Sequence, residues 1–335
     1  MVSMQLNLFV QGLLCDAALP SEDIKTFAIN GGGNNKAYLV QAKSEKYLAK
    51  VYYSHPDDLR DRLGNEFSFL TYAWNIGLRC IPKPILCNVE HNIGLYEFLE
   101  GRKLSPSELT QQHVLKAAYF IRDLNQRKQR TISLPLASES CFNIEQHLSM
   151  VDSRLERLQS IPAEFDIDRQ ACVFINELKT KWIKIRESIR SKTKLLTGEL
   201  EPEDWCISPS DFGFHNALIT DNDCINFIDF EYAGWDDPAK MVGDFFTQPE
   251  VPVSLEYFDD FISESLSYSK NKGLLIERTH LLFPIFKIKW CCILLNEFLP
   301  SSARRRQFAK TDFDPELNKR LQLKKAQDIF DTKVI

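Results

Sequence analysis

The sequence predicts an α+β fold with two lobes, in which a small strand-rich lobe precedes a larger, mainly helical one. In the first hundred residues, short apolar runs alternate with polar or glycine-rich turns, and a single amphipathic stretch interrupts them. Beyond residue 100, apolar residues recur at helical spacing over long segments. Strands and helices that are segregated along the chain in this way are typical of α+β folds. We therefore expect lobes at 1–100 and 101–335, with a ligand site in the cleft between them.

The smaller lobe is predicted to contain five strands and one helix. Alternating apolar and polar residues mark the strands, and turn-forming residues, as at 31–35 and 44–46, separate them. The helix is expected over about 57–75, because Gly77 follows it as a typical helix stop. We expect the strands at residues 25–30, 36–42, 47–53, 85–89 and 93–99.

The larger lobe is predicted to be helical, with one short hairpin. Apolar residues between Leu109 and Leu124 recur on one helical face. The hairpin is expected where strand-like runs at 217–220 and 224–230 flank a polar turn. We expect the helices at residues 107–127, 143–158, 169–190, 255–267 and 276–299.

Composition and charge exclude several classes of protein. The chain has 335 residues, of which 44% are apolar and 26% charged, a globular rather than a disordered profile. Its 41 Lys+Arg and 46 Asp+Glu give a formal charge of −5, which argues against a general nucleic-acid binder. The nine cysteines form no C-x-x-C pair, as is typical of reduced thiols in a cytosolic protein. We expect a cytoplasmic protein without a nucleic-acid partner.

Membrane insertion is not expected. The longest apolar candidate, residues 281–295, contains Pro284, Lys287 and Lys289, and it is shorter than the roughly 20 residues that a spanning helix needs. Residues 8–19 are apolar, but they contain Asp16 and lack a basic leader, so they do not resemble a signal peptide.

A glycine run between the first two predicted strands is a candidate phosphate loop. Gly31, Gly32 and Gly33, followed by Asn34, would let the backbone approach a ligand closely, and successive amides could face phosphate oxygens. A flexible hairpin turn explains the same residues. The run therefore carries weight only together with other candidates.

A lysine and a glutamate in the smaller lobe form a second candidate feature. By strand alternation Leu48 and Lys50 point to the same face, where Leu48 could cover a flat base and Lys50 could reach a phosphate. Glu66 lies at the edge of the apolar stripe of the following helix, where a carboxylate requires a cation or hydrogen bonds. In kinases, a glutamate from a helix pairs with the phosphate-binding lysine in this way and holds it in position. A surface lysine and an exposed edge glutamate are the alternatives.

The segment 207–216 is the densest in residues that carry chemistry. Asn216 follows Asp211 by five positions, and the predicted hairpin then returns the chain to Asp229, so Asn216 and Asp229 can converge. A carboxylate and an amide oxygen suit Mg²⁺, which takes few protein oxygens beside phosphate and water. Asp211 would then orient a substrate hydroxyl and accept its proton. Ordinary turn residues are the alternative, which the upstream lysine and glutamate disfavour.

Taken together, these features resemble the aminoglycoside phosphotransferase and choline kinase-like family, which has a bilobal protein-kinase-like fold. The resemblance covers about residues 23–298. It implies that the adenine of a nucleotide hydrogen-bonds to the backbone at Glu97 and Leu99, in the lobe connection. It further implies that Asp211 is the catalytic base and that Asn216 and Asp229 hold Mg²⁺. The matching elements, in chain order, are 31–35, Lys50, Glu66, 96–99, Asp211, Asn216 and Asp229.

Some positions depart from the family pattern or extend it. The family usually has a histidine two residues before the catalytic aspartate, where this chain has Pro209, and this puts the geometry of the loop in question. His215, within the motif, is expected to be structural. Asp237-Pro238 and Asp244 resemble the downstream Asp-Pro and Asp of the family, which are expected to support the loop rather than react.

The implied activity is Mg²⁺-dependent transfer of the γ-phosphate of ATP to a hydroxyl of a small-molecule acceptor, namely an amino sugar, an amino alcohol or a sugar. Lys50 would hold the α- and β-phosphates, and Glu66 would hold Lys50. A nucleotide-binding pseudokinase that acts through a protein partner is the alternative. A protein kinase is disfavoured because no Ala-Pro-Glu follows Asp229.

Two hints about the acceptor point in opposite directions. Glu231, Asp236 and Asp237 could line the site and favour a cationic acceptor. The run 304–306, three arginines, could instead favour an anionic group. Solvated loops explain both sets of charges, so the sequence does not identify the acceptor.

Overall fold

The computed structural model describes residues 2–29, 35–55, 58, 60–129, 133–192, 199–299 and 314–332. The predicted nucleotide residues Gly31, Gly32, Gly33 and Asn34 lie outside the described residues, as does the run 304–306. The chain divides into two compact units. Met1–Lys103 and Asn216–Tyr232 belong to the first, and Leu104–His215, Ala233–Ala303 and Asp314–Ile335 belong to the second. The predicted functional lobes 1–100 and 101–335 stay a prediction.

The structure confirms the α+β fold class, with strands concentrated in the first unit and helices in the second. The strands are β1 (Lys25–Ile29), β2 (Lys36–Ala42), β3 (Glu45–Val51), β4 (Pro84–Asn88), β5 (Ile93–Glu97), β6 (Cys206–Ser208), β7 (Ala217–Ile219), β8 (Ile225–Phe227) and β9 (Gly234–Asp236). The helices are α1 (Val2–Asp16), α2 (Arg62–Asn75), α3 (Gln111–Gln126), α4 (Ile144–Arg157), α5 (Asp166–Lys192), α6 (Pro238–Thr247), α7 (Phe258–Ser265), α8 (Lys272–Leu295) and α9 (Pro315–Asp331).

In the first unit, β1 to β5 form an antiparallel sheet in the order β1-β2-β3-β5-β4. The pairing of β3 with β5 sets Leu48 opposite Tyr96 and Lys50 opposite Gly94. All five predicted strands are present, with ends that agree to within two residues. The neighbouring hairpin of β7 and β8 pairs Ala217 with Phe227.

Helix α1, which the sequence did not predict, covers one face of this sheet. Its Val10, Leu13 and Leu14 are buried in one apolar cluster with side chains of β2, β3 and β5, among them Tyr47 and Ala49 of β3. Each fully buried side chain of this kind contributes about 1.5–3 kcal/mol to folding. The helix therefore supports β3 from the face opposite to Lys50.

Helix α2 starts later than predicted, and its buried face includes Glu66. Asp61 caps it, since its side chain accepts the Gly64 N–H at 2.8 Å, so the helix begins at Arg62 rather than near residue 57. Glu66 lies within the buried face rather than at its edge and is 4% exposed. The buried residues of α2 are Arg62, Leu63, Glu66, Phe69, Leu70 and Ala73.

The second unit is built around α8. Helices α4, α5, α6, α7 and α9 all contact it, and its buried side chains join a large apolar cluster with those of α4, α5 and α9. The sequence did not predict α6 or α9, whereas α3, α4, α5, α7 and α8 were predicted with ends that agree to within four residues.

Strands β6 and β9 pair with Ser208 opposite Gly234. Among the described helices, none is long and apolar enough to span a bilayer.

Gly243 is required where α6 packs against α8. A Cβ at this position would lie 2.0 Å from Cδ2 of Phe286. Gly243→Ala is therefore expected to destabilise the protein by about 1–3 kcal/mol through overpacking, seen as a lower urea midpoint. Gly273→Ala is the matched control, because nothing lies within 4 Å of a Cβ there and alanine favours the helix. Equal midpoints for both variants would contradict this account of the packing.

Candidate active site

Lys50 lies between two carboxylates in the first unit. Its Nζ donates to Oε2 of Glu66 at 2.7 Å and to Oδ1 of Asp229 at 2.5 Å. Lys50 is 8% exposed, and burial alone would lower the pKa of its ammonium, but the charges of Asp229, Glu66 and Glu231 outweigh burial and raise that pKa well above 10.5. Lys50 is therefore a fixed positive charge at any physiological pH. The structure thus brings together three of the residues that the sequence singled out.

Glu66 does more than hold Lys50. Its Oε1 accepts the backbone N–H of Phe230 at 3.2 Å, so the same carboxylate fixes the chain directly after Asp229. Its Oε2 also accepts the Tyr52 hydroxyl at 2.6 Å. Sequence reasoning missed Tyr52, although the signal was present, since alternation along the strand places residues 48, 50 and 52 on one face.

The hairpin of β7 and β8 brings Asn216 and Asp229 to the same end. Asn216 precedes the first pair of the hairpin, and its carbonyl accepts the Ile228 N–H at 2.9 Å. Asp229 adopts φ +70°, a conformation that non-glycine residues rarely hold and that is often associated with functional sites. Its side chain is 37% exposed, so the carboxylate is accessible to a ligand.

The donor set at this end of the hairpin fits a hard divalent cation. Within the described ranges, no group of three or more His, Cys, Asp or Glu side chains is placed to hold a metal by itself. One carboxylate and one amide oxygen, on Asp229 and Asn216, nevertheless suit Mg²⁺, which takes its other ligands from phosphates and water. The site therefore suits a metal that arrives with a nucleotide rather than one held by the protein alone.

Glu231 is buried, and together with Asn35 and Arg62 it forms a polar cluster, here called the clamp, at the start of β2. It is 2% exposed, and its Oε2 accepts Asn35 Nδ2 at 2.5 Å and lies 3.4 Å from Arg62 Nε. Asn35 is the last residue of the predicted loop 31–35, and it also accepts the Tyr53 N–H through Oδ1 at 3.1 Å. The clamp therefore ties the strand after that loop to the segment after Asp229 and to α2.

Burial contradicts both alternatives that the sequence left open for Glu231, Asp236 and Asp237, a site-lining set of carboxylates and a solvated loop. Asp236 and Asp237, in the second unit, are both 0% exposed. Lys240 Nζ donates to Asp236 at 2.5 Å, and Arg278 Nη2 donates to Asp237 at 2.7 Å. Because Glu231 is also buried, all three carboxylates neutralise internal cations or accept internal hydrogen bonds. None of the three is exposed for direct contact with an acceptor.

Asp211 lies in the second unit, in the loop after β6. Its Oδ1 lies 3.2 Å from Nε2 of His215, and its side chain is 34% exposed. The next residue, Phe212, anchors the loop by stacking on Phe245, with ring centroids 5.2 Å apart. His215 thus contacts the predicted base itself, and this contact orients the Asp211 carboxylate.

Internal hydrogen bonds and a buried lysine stabilise the loop around Pro209, the position where the family usually has a histidine. Ser210 adopts φ +66°, and its N–H donates to the Ser208 hydroxyl at 3.0 Å. Lys240, 1% exposed, places Nζ 3.5 Å from the Ser210 hydroxyl while pairing with Asp236. A buried cation from α6 therefore lies beside the turn that follows Pro209.

The remaining predicted nucleotide residues lie around β3 and the end of β5. Leu48 is half-buried on the face that carries Lys50, and Leu99 is also half-buried. The Glu97 N–H donates to the Lys83 carbonyl at 2.9 Å. An adenine could therefore use the carbonyl of Glu97 but not its N–H. The roles of these residues stay predictions.

Solved structures identify the fold of this chain. The chain is similar to an ethanolamine kinase of Plasmodium vivax (TM-score 0.61, 17% identity, 96% of this chain and 89% of that chain). It is also similar to a choline kinase of Cryptosporidium parvum (0.61, 16%, 96% and 96%) and to a spectinomycin phosphotransferase solved with ADP and spectinomycin (0.61, 15%, 96% and 98%). The fold is thus the protein-kinase-like fold, as predicted.

The family follows from the sequence itself. The family model described as choline/ethanolamine kinase matches residues 27–295, and the chain belongs to this family. The protein is accordingly an ATP-dependent small-molecule kinase. A search of curated proteins finds no significant match. The resemblance stated from the sequence motifs is confirmed.

Proposed function

We propose that the protein transfers the γ-phosphate of ATP to a hydroxyl of a small-molecule acceptor, with Mg²⁺ as the metal and Asp211 as the base. The position of Lys50 carries the proposal: it contacts Glu66 at 2.7 Å and Asp229 at 2.5 Å in a buried site. A lysine held by a helix glutamate, next to the metal-binding aspartate, is the arrangement that kinases use to grip a triphosphate.

The charges at this site suit phosphoryl transfer by positioning and charge neutralisation. The Lys50 ammonium would bind the α- and β-phosphate oxygens, with Glu66 limiting its movement. Asn216 and Asp229 would hold the Mg²⁺ that neutralises the developing phosphate charge. Asp211, oriented by His215, would align the acceptor hydroxyl and take its proton as the oxygen attacks.

The acceptor class stays broad for a physical reason. The similar structures carry names that include ethanolamine, choline and spectinomycin. In this chain, however, the three carboxylates that follow the metal segment are buried and engaged by internal partners. An acceptor cation would need other partners, so we propose a small hydroxyl compound and include neutral sugars beside amino sugars and amino alcohols.

A screen for acceptor-dependent ADP release tests this function. Purified protein with Mg²⁺ and ATP is incubated with amino sugars, amino alcohols and simple sugars, and ADP is measured by a coupled assay. We expect one acceptor class to raise ADP release above the acceptor-free rate, and replacement of Mg²⁺ by EDTA to abolish it. Nucleotide binding with no turnover on any acceptor would instead favour the pseudokinase.

Removal of the Asp229 carboxylate should abolish Mg²⁺-dependent nucleotide binding. Asp229→Ala deletes the only carboxylate in the proposed metal pair, while Glu66 still holds Lys50. Calorimetry with ATP, with and without Mg²⁺, should show that the gain in affinity due to Mg²⁺ disappears. Asp221→Asn, in the exposed turn of the same hairpin, is the control. An intact Mg²⁺ effect in Asp229→Ala would contradict the metal role.

A further inference from the structure

We propose that Tyr52 and Tyr96 are positioning residues for the nucleotide site, acting through Glu66. The Tyr52 hydroxyl lies 2.6 Å from Oε2 of Glu66, and the Tyr96 hydroxyl lies 2.7 Å from that of Tyr52. Both side chains belong to the first unit and are buried, at 3% and 1% exposure. The inference rests on the proposed nucleotide binding and adds two residues to it.

The direction of the two hydrogen bonds follows from donor and acceptor counts. The Glu66 carboxylate can only accept, so Tyr52 donates its single proton to Oε2. The Tyr52 oxygen must then accept from Tyr96. Burial and the charge of Glu66 raise the pKa of both phenols well above 10, so both remain protonated donors at any physiological pH. The two hydrogen bonds therefore form a relay in which Tyr96 donates to Tyr52 and Tyr52 donates to Glu66.

The relay completes the hydrogen bonding of the Glu66 carboxylate. Oε2 receives both Lys50 and Tyr52, and Oε1 receives the N–H of Phe230. A buried carboxylate with three donors on two oxygens has little freedom to rotate. Loss of the Tyr52 donor would leave Lys50 as the only partner of Oε2 among the described residues, and the carboxylate could then turn away from the Phe230 N–H.

The glycine at position 94 leaves room in the sheet for the Tyr96 hydroxyl. Gly94 lies opposite Lys50, and a Cβ on Gly94 would lie 2.3 Å from the Tyr96 hydroxyl. Tyr96 also directly precedes Glu97, the predicted adenine contact. The relay thus links the strand end proposed to bind the base with the lysine proposed to bind the phosphates, and through Phe230 with the metal segment.

Phenylalanine variants test the relay with minimal change in shape. We expect Tyr52→Phe to weaken binding of MgATP about 5- to 50-fold, as for loss of a hydrogen bond to a buried charge, and to raise KM for ATP more than KM for the acceptor. Tyr47→Phe is the matched control, because Tyr47 lies on β3, which Tyr52 directly follows, but packs on the opposite face, against α1. It should bind MgATP as the wild type does.

A double-mutant cycle separates positioning from general packing. Tyr96 acts through Tyr52, so Tyr96→Phe should weaken MgATP binding in the wild type and have little further effect in Tyr52→Phe. Additive effects, or a Tyr52→Phe variant that binds MgATP like the wild type, would overturn the relay while leaving the proposed function intact. A wild-type protein that binds no nucleotide would overturn both. Urea midpoints of all variants identify any loss of folding.

Discussion

Asp211→Asn is expected to lower kcat about 10²–10⁴-fold while nucleotide affinity changes little. Asparagine keeps the shape of the side chain and can still contact His215, but its amide cannot accept the acceptor proton. The Lys50, Glu66 and Asp229 cluster is untouched, so ATP should bind as before. Steady-state rates of ADP release and calorimetric ATP affinities, measured side by side, separate the two effects.

The control for this variant is the same substitution elsewhere. Asp221→Asn changes an exposed turn carboxylate of the β7–β8 hairpin and should leave kcat near the wild-type value. A second comparison is His215→Asn, which removes the contact to Asp211 but keeps the base. We expect it to reduce kcat less than Asp211→Asn does. Near-normal turnover by Asp211→Asn would remove Asp211 from the role of base.

The residue placements that the sequence predicted correctly depend on short-range geometry. Strand alternation placed Leu48 and Lys50 on one face, and hairpin closure brought Asn216 and Asp229 to the same end. The partner of Lys50 could be predicted from α2 because a carboxylate in a buried stripe needs a cation. Each of these arguments uses only the period of one element or the closure of one turn.

The parts that the sequence did not predict depend on contacts between distant segments. Asn35 and Glu231 are 196 residues apart, and no local pattern indicates that they pair. Without that contact, Glu231 resembles a surface carboxylate. The sequence does not predict helix α1 for a related reason, since its apolar residues are buried by a sheet face formed by other segments of the chain. Tertiary burial, rather than composition, decides these cases.

The second large effect is expected at Asp237, which joins three helices of the second unit. Its Oδ2 accepts Arg278 Nε at 2.8 Å from α8 and His147 Nε2 at 3.0 Å from α4, and its Oδ1 caps α6 at the Ala239 N–H at 2.8 Å. Asp237→Asn would leave the Arg278 guanidinium, only 5% exposed, without its counter-charge. We expect a loss of about 3–5 kcal/mol in the free energy of unfolding.

Urea unfolding measures this loss, and a double variant serves as its control. Asp237→Asn should lower the midpoint with an unchanged slope. Replacing Arg278 by Met in the same protein removes the buried cation as well and should recover part of the stability. Removal of both charges of a buried ion pair costs less free energy than removal of one, because a single remaining charge stays buried without a partner. If Asp237→Asn keeps the wild-type midpoint, the ion pair does not hold α6 in place.

The pH dependence of stability gives an independent test of the same cluster. Burial raises the pKa of Asp237, but Arg278 and His147 outweigh it and hold that pKa well below 3.8, while burial lowers the pKa of His147 below 6.5. Both groups bind more protons in the unfolded chain, so stability should fall as pH drops below 6.5 and again below 3.8. Asp236, whose pKa burial raises to about 6, contributes the opposite slope between 3.8 and 6 in the wild type and in Asp237→Asn alike. Asp237→Asn lacks the carboxylate that the unfolded wild-type chain protonates below pH 3.8, while the folded wild-type chain keeps it ionised. The stability gap between the wild type and Asp237→Asn should therefore narrow as pH falls below 3.8.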